Sequence, residues 1–217
     1  MIRGSEVRKN RLHLVPGESH SAGKRTGTQA EESSEGIILL GTTAYRAFRE
    51  SRASATSPAT FSDFVPSRAG SNRLNMLNDA LVLAMYSVAR ADRALDSQRR
   101  KTIRALTSHI GLRDVDSGTL ISILQFDPDP SLVAAMTRTL GERLTVYLAS
   151  IVAADPDNVS ERWYLETLEA SLKIPVSVVP AIQRRARELR RRLDQSSYFG
   201  FPIDHYEVAS MPQDIAS

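Results

Sequence analysis

Two short stretches of this chain gather carboxylates where helices meet turns. In ARADRALDSQRRKTI, Asp92 and Asp96 stand four residues apart, and in AADPDNVSERWYL, Asp155, Asp157 and Glu161 fall within seven. Clusters of this kind suit hard divalent cations, since calcium takes ~6–8 oxygen ligands and magnesium an octahedral set. The same residue types also serve a plainer purpose. Asp and Asn are ordinary helix caps, and a carboxylate near a helix N-terminus is favoured by the helix dipole. Residue type and spacing leave both uses open. Cysteine is absent, so thiolate nucleophiles, Cys-ligated zinc, iron–sulfur clusters and disulfides are excluded. Any metal would need oxygen or histidine ligands.

The elements that position these turns are helical. Leu74, Leu77, Leu81, Met85 and Val88 recur at helical spacing and predict a helix over 71–91, and Ile103, Leu106 and Ile110 predict a second, closed by Gly111. A short third helix is expected to begin at Ser117 and end near Phe126. After the DPDP turn a long fourth is expected over 131–154 with Ser131 as its cap. A fifth, over 159–173, carries Trp163, Leu165, Leu168 and Leu172. A sixth begins near Ser177, with Pro180 tolerated in its first turn, and ends in RRARELRRR. Neighbouring positions on a helix face different sides, so of Trp163 and Tyr164 one is expected in the core and the other outside.

The strongest architectural signal is an internal repeat. Leu81, Met85, Val88, Ala91 and Asp92 correspond at an offset of 63 to Leu144, Leu148, Ile151, Ala154 and Asp155. After a one-residue gap, Ile103, Leu106, Ile110 and Leu112 correspond to Leu165, Leu168, Leu172 and Ile174. The expected fold is therefore all-α: a compact bundle of about six helices over 71–193, built from two pseudo-symmetric halves, each a long helix, an acidic turn and a shorter helix.

Residues 1–70 hold 10 of the 28 basic and 7 of the 25 acidic residues, so the chain's small positive excess lies there, and residues 71–217 are neutral. This lead is expected to be disordered to about Glu35, because it has too few large apolar side chains to offset the entropy of ordering. An apolar segment at 36–51 (GIILLGTTAYRAFRES) is expected to form at most a short helix. A Ser/Ala/Pro-rich linker follows, in which Phe61, Phe64 and Val65 dock loosely. Residues 194–217 form a tail whose SYFGFPIDHY stretch is rich in aromatics and suited to covering an apolar patch, on this domain or on a partner. The polar N-terminus carries no secretory signal, and no apolar run approaches the roughly 20 residues that cross a bilayer. A cytoplasmic location is expected.

At the acidic turns the chain resembles a known family. LNDALVLAMYSVARADRALDSQRRKTI, DPDPSLVAAM and LTVYLASIVAADPDNVSERWYLETLEASLKIP are similar to the TerB-like domain, named for tellurite-resistance protein B. The likeness is closest to its YebE-type branch of uncharacterised bacterial inner-membrane-associated proteins. The resemblance implies an all-α fold and a proposed metal-binding role for Asp92, Asp96, Asp155, Asp157 and Glu161; the carboxylate chemistry of the turns would suit calcium or magnesium. This chain departs from the branch at Arg93, where Gly is usual, and at Arg99, where Glu is usual. Arg99 is expected to pair with Asp96, Asp155 or Glu161 in place of a cation. The branch's membrane-inserting apolar lead is also largely missing.

Function divides three ways. The leading expectation is a non-catalytic binding or scaffold module contacting protein partners in stress or envelope-related assemblies. A metal-dependent hydrolase-like enzyme using the same carboxylates is the second, although no residue stands out as a nucleophile. The third is a peripheral adaptor in which Ile37 to Leu40, with Arg46, Arg49 and Arg52, meets an anionic membrane. The arginines at 184, 185, 187, 190, 191 and 192 read mainly as a solvated helix end. They lack interleaved aromatics, so no nucleic-acid partner is expected.

Overall fold

The computed structural model describes residues 26–51, 59–66, 71–91, 97–113, 129–155 and 157–199. Among them the chain forms seven α-helices, one short 3-10 turn and no strand: α1 (Thr26–Glu50), the 3-10 turn (Phe61–Asp63), α2 (Ser71–Ala89), α3 (Ser97–Ile110), α4 (Pro130–Ala135), α5 (Leu140–Ala153), α6 (Val159–Ser171) and α7 (Val179–Phe199). The all-α expectation holds. The expected helix over 117–126 lies outside the described residues.

α2 and α5 form the centre and share the most extensive contact of any helix pair. Their equivalent positions Leu81, Met85, Leu144 and Leu148 are fully buried, as expected when two matching apolar faces pack on each other. The repeat extends to the way the shorter helices end. After α3, Gly111 takes φ 82°, and the amides of Gly111 and Leu112 donate to the carbonyls of Ser108 and Thr107 at 3.0 and 2.9 Å. After α6, Lys173 takes φ 52°, and the amides of Lys173 and Ile174 donate to Ala170 and Glu169 at 3.1 and 3.2 Å. These are the two bonds of a Schellman cap, placed at equivalent positions. Lys173 accepts there a left-handed backbone that usually falls to glycine.

Three expectations need correction. The ordered body begins well before Ser71: α1 is a 25-residue helix whose Ile37, Leu40, Ala44, Ala47 and Phe48 are buried in the same core. Their spacing makes one continuous stripe, and small side chains along it let α1 approach closely. A Cβ on Gly36 would stand 2.8 Å from the carbonyl carbon of Gly111, and one on Gly41 2.7 Å from the carbonyl oxygen of Phe64. The second correction concerns the aromatics of the linker. Phe64 is fully buried rather than loosely docked, its ring 5.3 Å from Tyr45 and 5.7 Å from Phe48. Gly141 of α5 faces the Asp63 and Phe64 backbone so closely that any side chain there would displace it.

Third, the long helix expected over 131–154 is two. Asp129, not Ser131, caps α4, accepting from the Ser131 amide at 2.8 Å with Pro130 opening the helix. The chain breaks after Ala135 because Thr139 and Glu142 form a capping box that starts α5 afresh. Glu142 is only 2% exposed. It accepts from Arg138 N at 2.6 Å, from Thr139 N at 3.3 Å and from Arg73 Nε at 2.7 Å, and Arg73 Nη2 also bonds its other oxygen. The same guanidinium donates to the Met136 carbonyl at 3.2 Å. Thr139 Oγ1 donates to Asp63 O at 2.6 Å. One buried network thus joins α2, the α4–α5 junction and the 3-10 turn.

Candidate functional site

Helix directions decide where the acidic turns lie. Arg73 in the first turn of α2 grips Glu142 in the first turn of α5, and the two helices pack along their lengths, so they run the same way. Their C-terminal ends, which lead into the two acidic turns, therefore point to the same end of the bundle. α6 returns antiparallel to α5: Arg143 Nη1 donates to Leu172 O at 3.4 Å near one end, and the Asp155 amide meets Glu161 at the other. α7 runs parallel to α5, with Gln183 beside Tyr147 and Arg190 Nη1 donating to the Ala154 carbonyl.

The second turn is built from its own carboxylates. Glu161, 1% exposed, accepts from the Asp155 amide at 2.6 Å. Asp155 Oδ1 accepts from the Asp157 amide at 3.0 Å, and the side chain of Asn158, the N-cap of α6, accepts from the Glu161 amide at 3.1 Å. Asp155 is half-buried and Asp157 exposed. Each bond satisfies a backbone donor, of the turn itself at Asp155 and Asp157 and of the start of α6 at Glu161. Arg190 does the complementary work on the carbonyl side, placing a cation at the C-terminus of α5, where the dipole favours one.

Of the five residues expected to hold a metal, the structure brings Asp155, Asp157 and Glu161 into one turn; Asp92 and Asp96 lie outside the described residues, as does Arg93. Arg99 falls within α3, but its side chain is outside the description, and so is the pairing expected of it. Among the described residues no group of three or more His, Asp or Glu side chains is arranged to hold a metal ion.

The arginines of α7 do more than solvate a helix end. Arg184 Nη2 and Glu50 Oε2 are 2.8 Å apart, Arg185 bonds the other Glu50 oxygen, and Arg185 Nη1 reaches Glu188 at 3.0 Å. The Arg185 guanidinium foremost holds the Glu50 carboxyl below its ordinary range. α7 is thereby tied to α1 by Glu50 and to α5 by Arg190, while Arg187 and Arg191 face outward. Ile37 and Leu40, expected to meet a membrane in the adaptor reading, are instead fully buried in the core. Among the described residues no helix is long and apolar enough to cross a membrane.

α6 presents two opposite faces at this end. Tyr164 is buried at 3% exposure, as one of the Trp163–Tyr164 pair was expected to be, and burial pushes its phenol up to about 12. Trp163 is 69% exposed, and Val159, one turn earlier on the same face, is 68% exposed. Leu132, on the α4 helix that packs against α6, is 57% exposed. No sequence reading singled out this apolar surface. The signal for it was present, since Val159 and Trp163 fall at i, i+4 on the side opposite Glu161, Tyr164 and Leu168.

These features define an all-helical protein, among its described residues, built on a repeated pair of helices, with α2 and α5 ending at the same end of the bundle beside an exposed apolar face. Residues 13–186 match the family described as "Protein of unknown function (DUF533)", and the chain belongs to that family. It is also similar to a protein of Yersinia enterocolitica named "Uncharacterized protein in ampR 5'region", with 27% identity over 113 residues, 52% of this chain and 81% of that protein. No solved structure matches. The match over 13–186 includes α1, in keeping with the place of that helix in the core.

Proposed function

We propose that this protein is a non-catalytic helical interaction module that binds a protein partner through the outer face of α6. The observation that carries this reading is the exposure of Trp163 beside Val159, with Leu132 on the neighbouring helix. Tryptophan is the residue most enriched at binding hot spots, and an exposed group of large apolar side chains is the usual mark of a contact surface. A photo-crosslinking residue placed at Trp163 in cells should give a discrete protein adduct, and the same residue at Arg191 should not. An identical pattern from both positions would end the reading.

The finer kinship belongs to this proposal as well. The repeated halves, with an acidic turn after each long helix, support placing the chain among TerB-like domains and near the YebE-type branch, in stress or envelope-related assemblies. A divalent-cation site is the second reading, favoured by the parallel course of α2 and α5, which directs both turns to one end. Calcium or magnesium would then be shared between Asp92, Asp96 and the Asp155–Glu161 turn, with Arg99 opposing it. In calorimetric titrations the wild type should bind either ion weakly, and Arg99→Glu should bind more tightly by adding an oxygen ligand and removing a like charge. Equal heats from the two proteins would sink that role for Arg99.

A further inference from the structure

We infer that the partner of the α6 face is a second copy of this chain, with α6 packed antiparallel on α6 about a two-fold axis; the inference rests on that face being a contact surface. Apart from Ser160, the exposed residues of α6 are Val159, Arg162, Trp163, Glu166 and Ala170. At 3.6 residues per turn they fall within an arc of about 100°, so they make one face. Val159 and Trp163 are its apolar part. Arg162 and Glu166, one turn apart on it, make no ion pair among the described residues.

This face is complementary to itself. Two copies of a helix packed antiparallel about a two-fold axis set residues with a common midpoint opposite each other, and every such pair occurs twice. Arg162 and Glu166 have their midpoint at Tyr164, and Val159 and the small Ala170 have theirs between Tyr164 and Leu165. The exposed Asp157 and Lys173, just beyond the two ends of α6, have theirs at Leu165. One axis serves all three pairs to within a residue. With the axis there, the Trp163 residues of the two copies stand roughly 3 Å apart along the helices at about 1.5 Å per residue, and each indole covers the other. A parallel pair would instead set Arg162 against Arg162 and Glu166 against Glu166, and like charges across an interface exclude that arrangement. An unrelated partner would have to supply this charge pattern, whereas a second copy already carries it. One helix face, with Leu132 at its margin, is small beside the interfaces of stable complexes, so the dimer is weak and reversible.

Sedimentation equilibrium of the full-length protein should follow a reversible monomer–dimer equilibrium. Arg162→Glu and Glu166→Arg each set like charges opposite each other at two places, and each should raise the dimer Kd at least about tenfold. Joined in one chain, the two reversals restore opposite charges, and Kd should return toward the wild-type value as direct pairing requires. Trp163→Ser should leave a monomer with unchanged circular dichroism. A protein that stays monomeric at its highest soluble concentration overturns the inference. So does a dimer indifferent to these substitutions, or a double variant that associates no more tightly than either single one. A monomer that still gives a cellular adduct at Trp163 assigns the face to a different protein, which overturns the second copy and keeps the partner reading. Neither dimer nor adduct removes both.

Discussion

A chain beginning at Ser71 will not fold cooperatively, and limited proteolysis of the whole protein will leave a resistant fragment that starts before Gly36. Ile37, Leu40 and Phe48 of α1, together with Phe64, are at most 1% exposed. Burying a large apolar side chain contributes about 1.5–3 kcal/mol, so these four account for roughly 6–12 kcal/mol, an upper range because unfolded chains already bury part of this surface. A domain of ordinary stability holds only about 5–15 kcal/mol in all. Deletion would also strip cover from α5, since Gly141 is shaped to the Asp63 and Phe64 backbone and Thr139 donates to Asp63 O. Circular dichroism on heating should show a sharp transition for the full chain and a broad or absent one for the fragment from Ser71. A sharp transition at an unchanged midpoint in the shorter chain would show that α1 is dispensable.

The contrast between α1 and α2 shows what the sequence disclosed. α2 advertises itself with Leu and Met at helical spacing, and the same kind of stripe announces α3, α6 and α7. In α1 four of the seven buried residues of the stripe are Gly or Ala, with Gly36, Gly41, Ala44 and Ala47 beside Ile37, Leu40 and Phe48. Such residues carry little hydropathy, and their value lies in letting backbones approach, which depends on a partner surface that no local window contains. The depth of Phe64 was hidden likewise: it is one of two aromatics in a Ser- and Pro-rich stretch, and it is buried because glycines on α1 and α5 make room for its backbone. The break between α4 and α5 was legible, since Thr139 and Glu142 carry the T-x-x-E signature of a helix start. The apolar pattern running across it hid the signal.

The candidate site divides along the same line. Capping by Asn158 and the turn made by Asp155 and Asp157 follow from local chain chemistry and were open to reading as caps. That Glu161 is buried and accepts from the Asp155 amide needed the packing of α6 on α5. The part played by Arg190, thirty-six residues from Ala154 along the chain, needed the direction of α7. The repeat predicted equivalent helices, and the shared direction of α2 and α5 puts their C-terminal ends at a common end of the bundle.

Arg73→Met should be among the most destabilising single substitutions in the protein, although Arg73 belongs to no turn or expected site. Its guanidinium is 16% exposed, whereas the Glu142 carboxylate it holds is only 3% exposed at the side chain. Removing one member of a buried pair leaves a charge with neither water nor counter-ion, at a cost of about 3–5 kcal/mol. The Arg138 and Thr139 amides would still serve Glu142, which places the expected loss toward the lower end of that range. The Met136 carbonyl would lose its donor as well. Glu142→Gln should cost less, because the amide oxygen still accepts from the two backbone donors and the stranded Arg73 is the better hydrated partner. Adding Glu142→Gln to Arg73→Met should recover part of the loss, since the double variant buries no net charge there. Urea unfolding of the three variants decides the matter through their midpoints at unchanged slope. A shift for Arg73→Met worth less than about 1 kcal/mol, the ordinary yield of an exposed pair, would mean that the pair is solvated and that the α4–α5 junction does not depend on it.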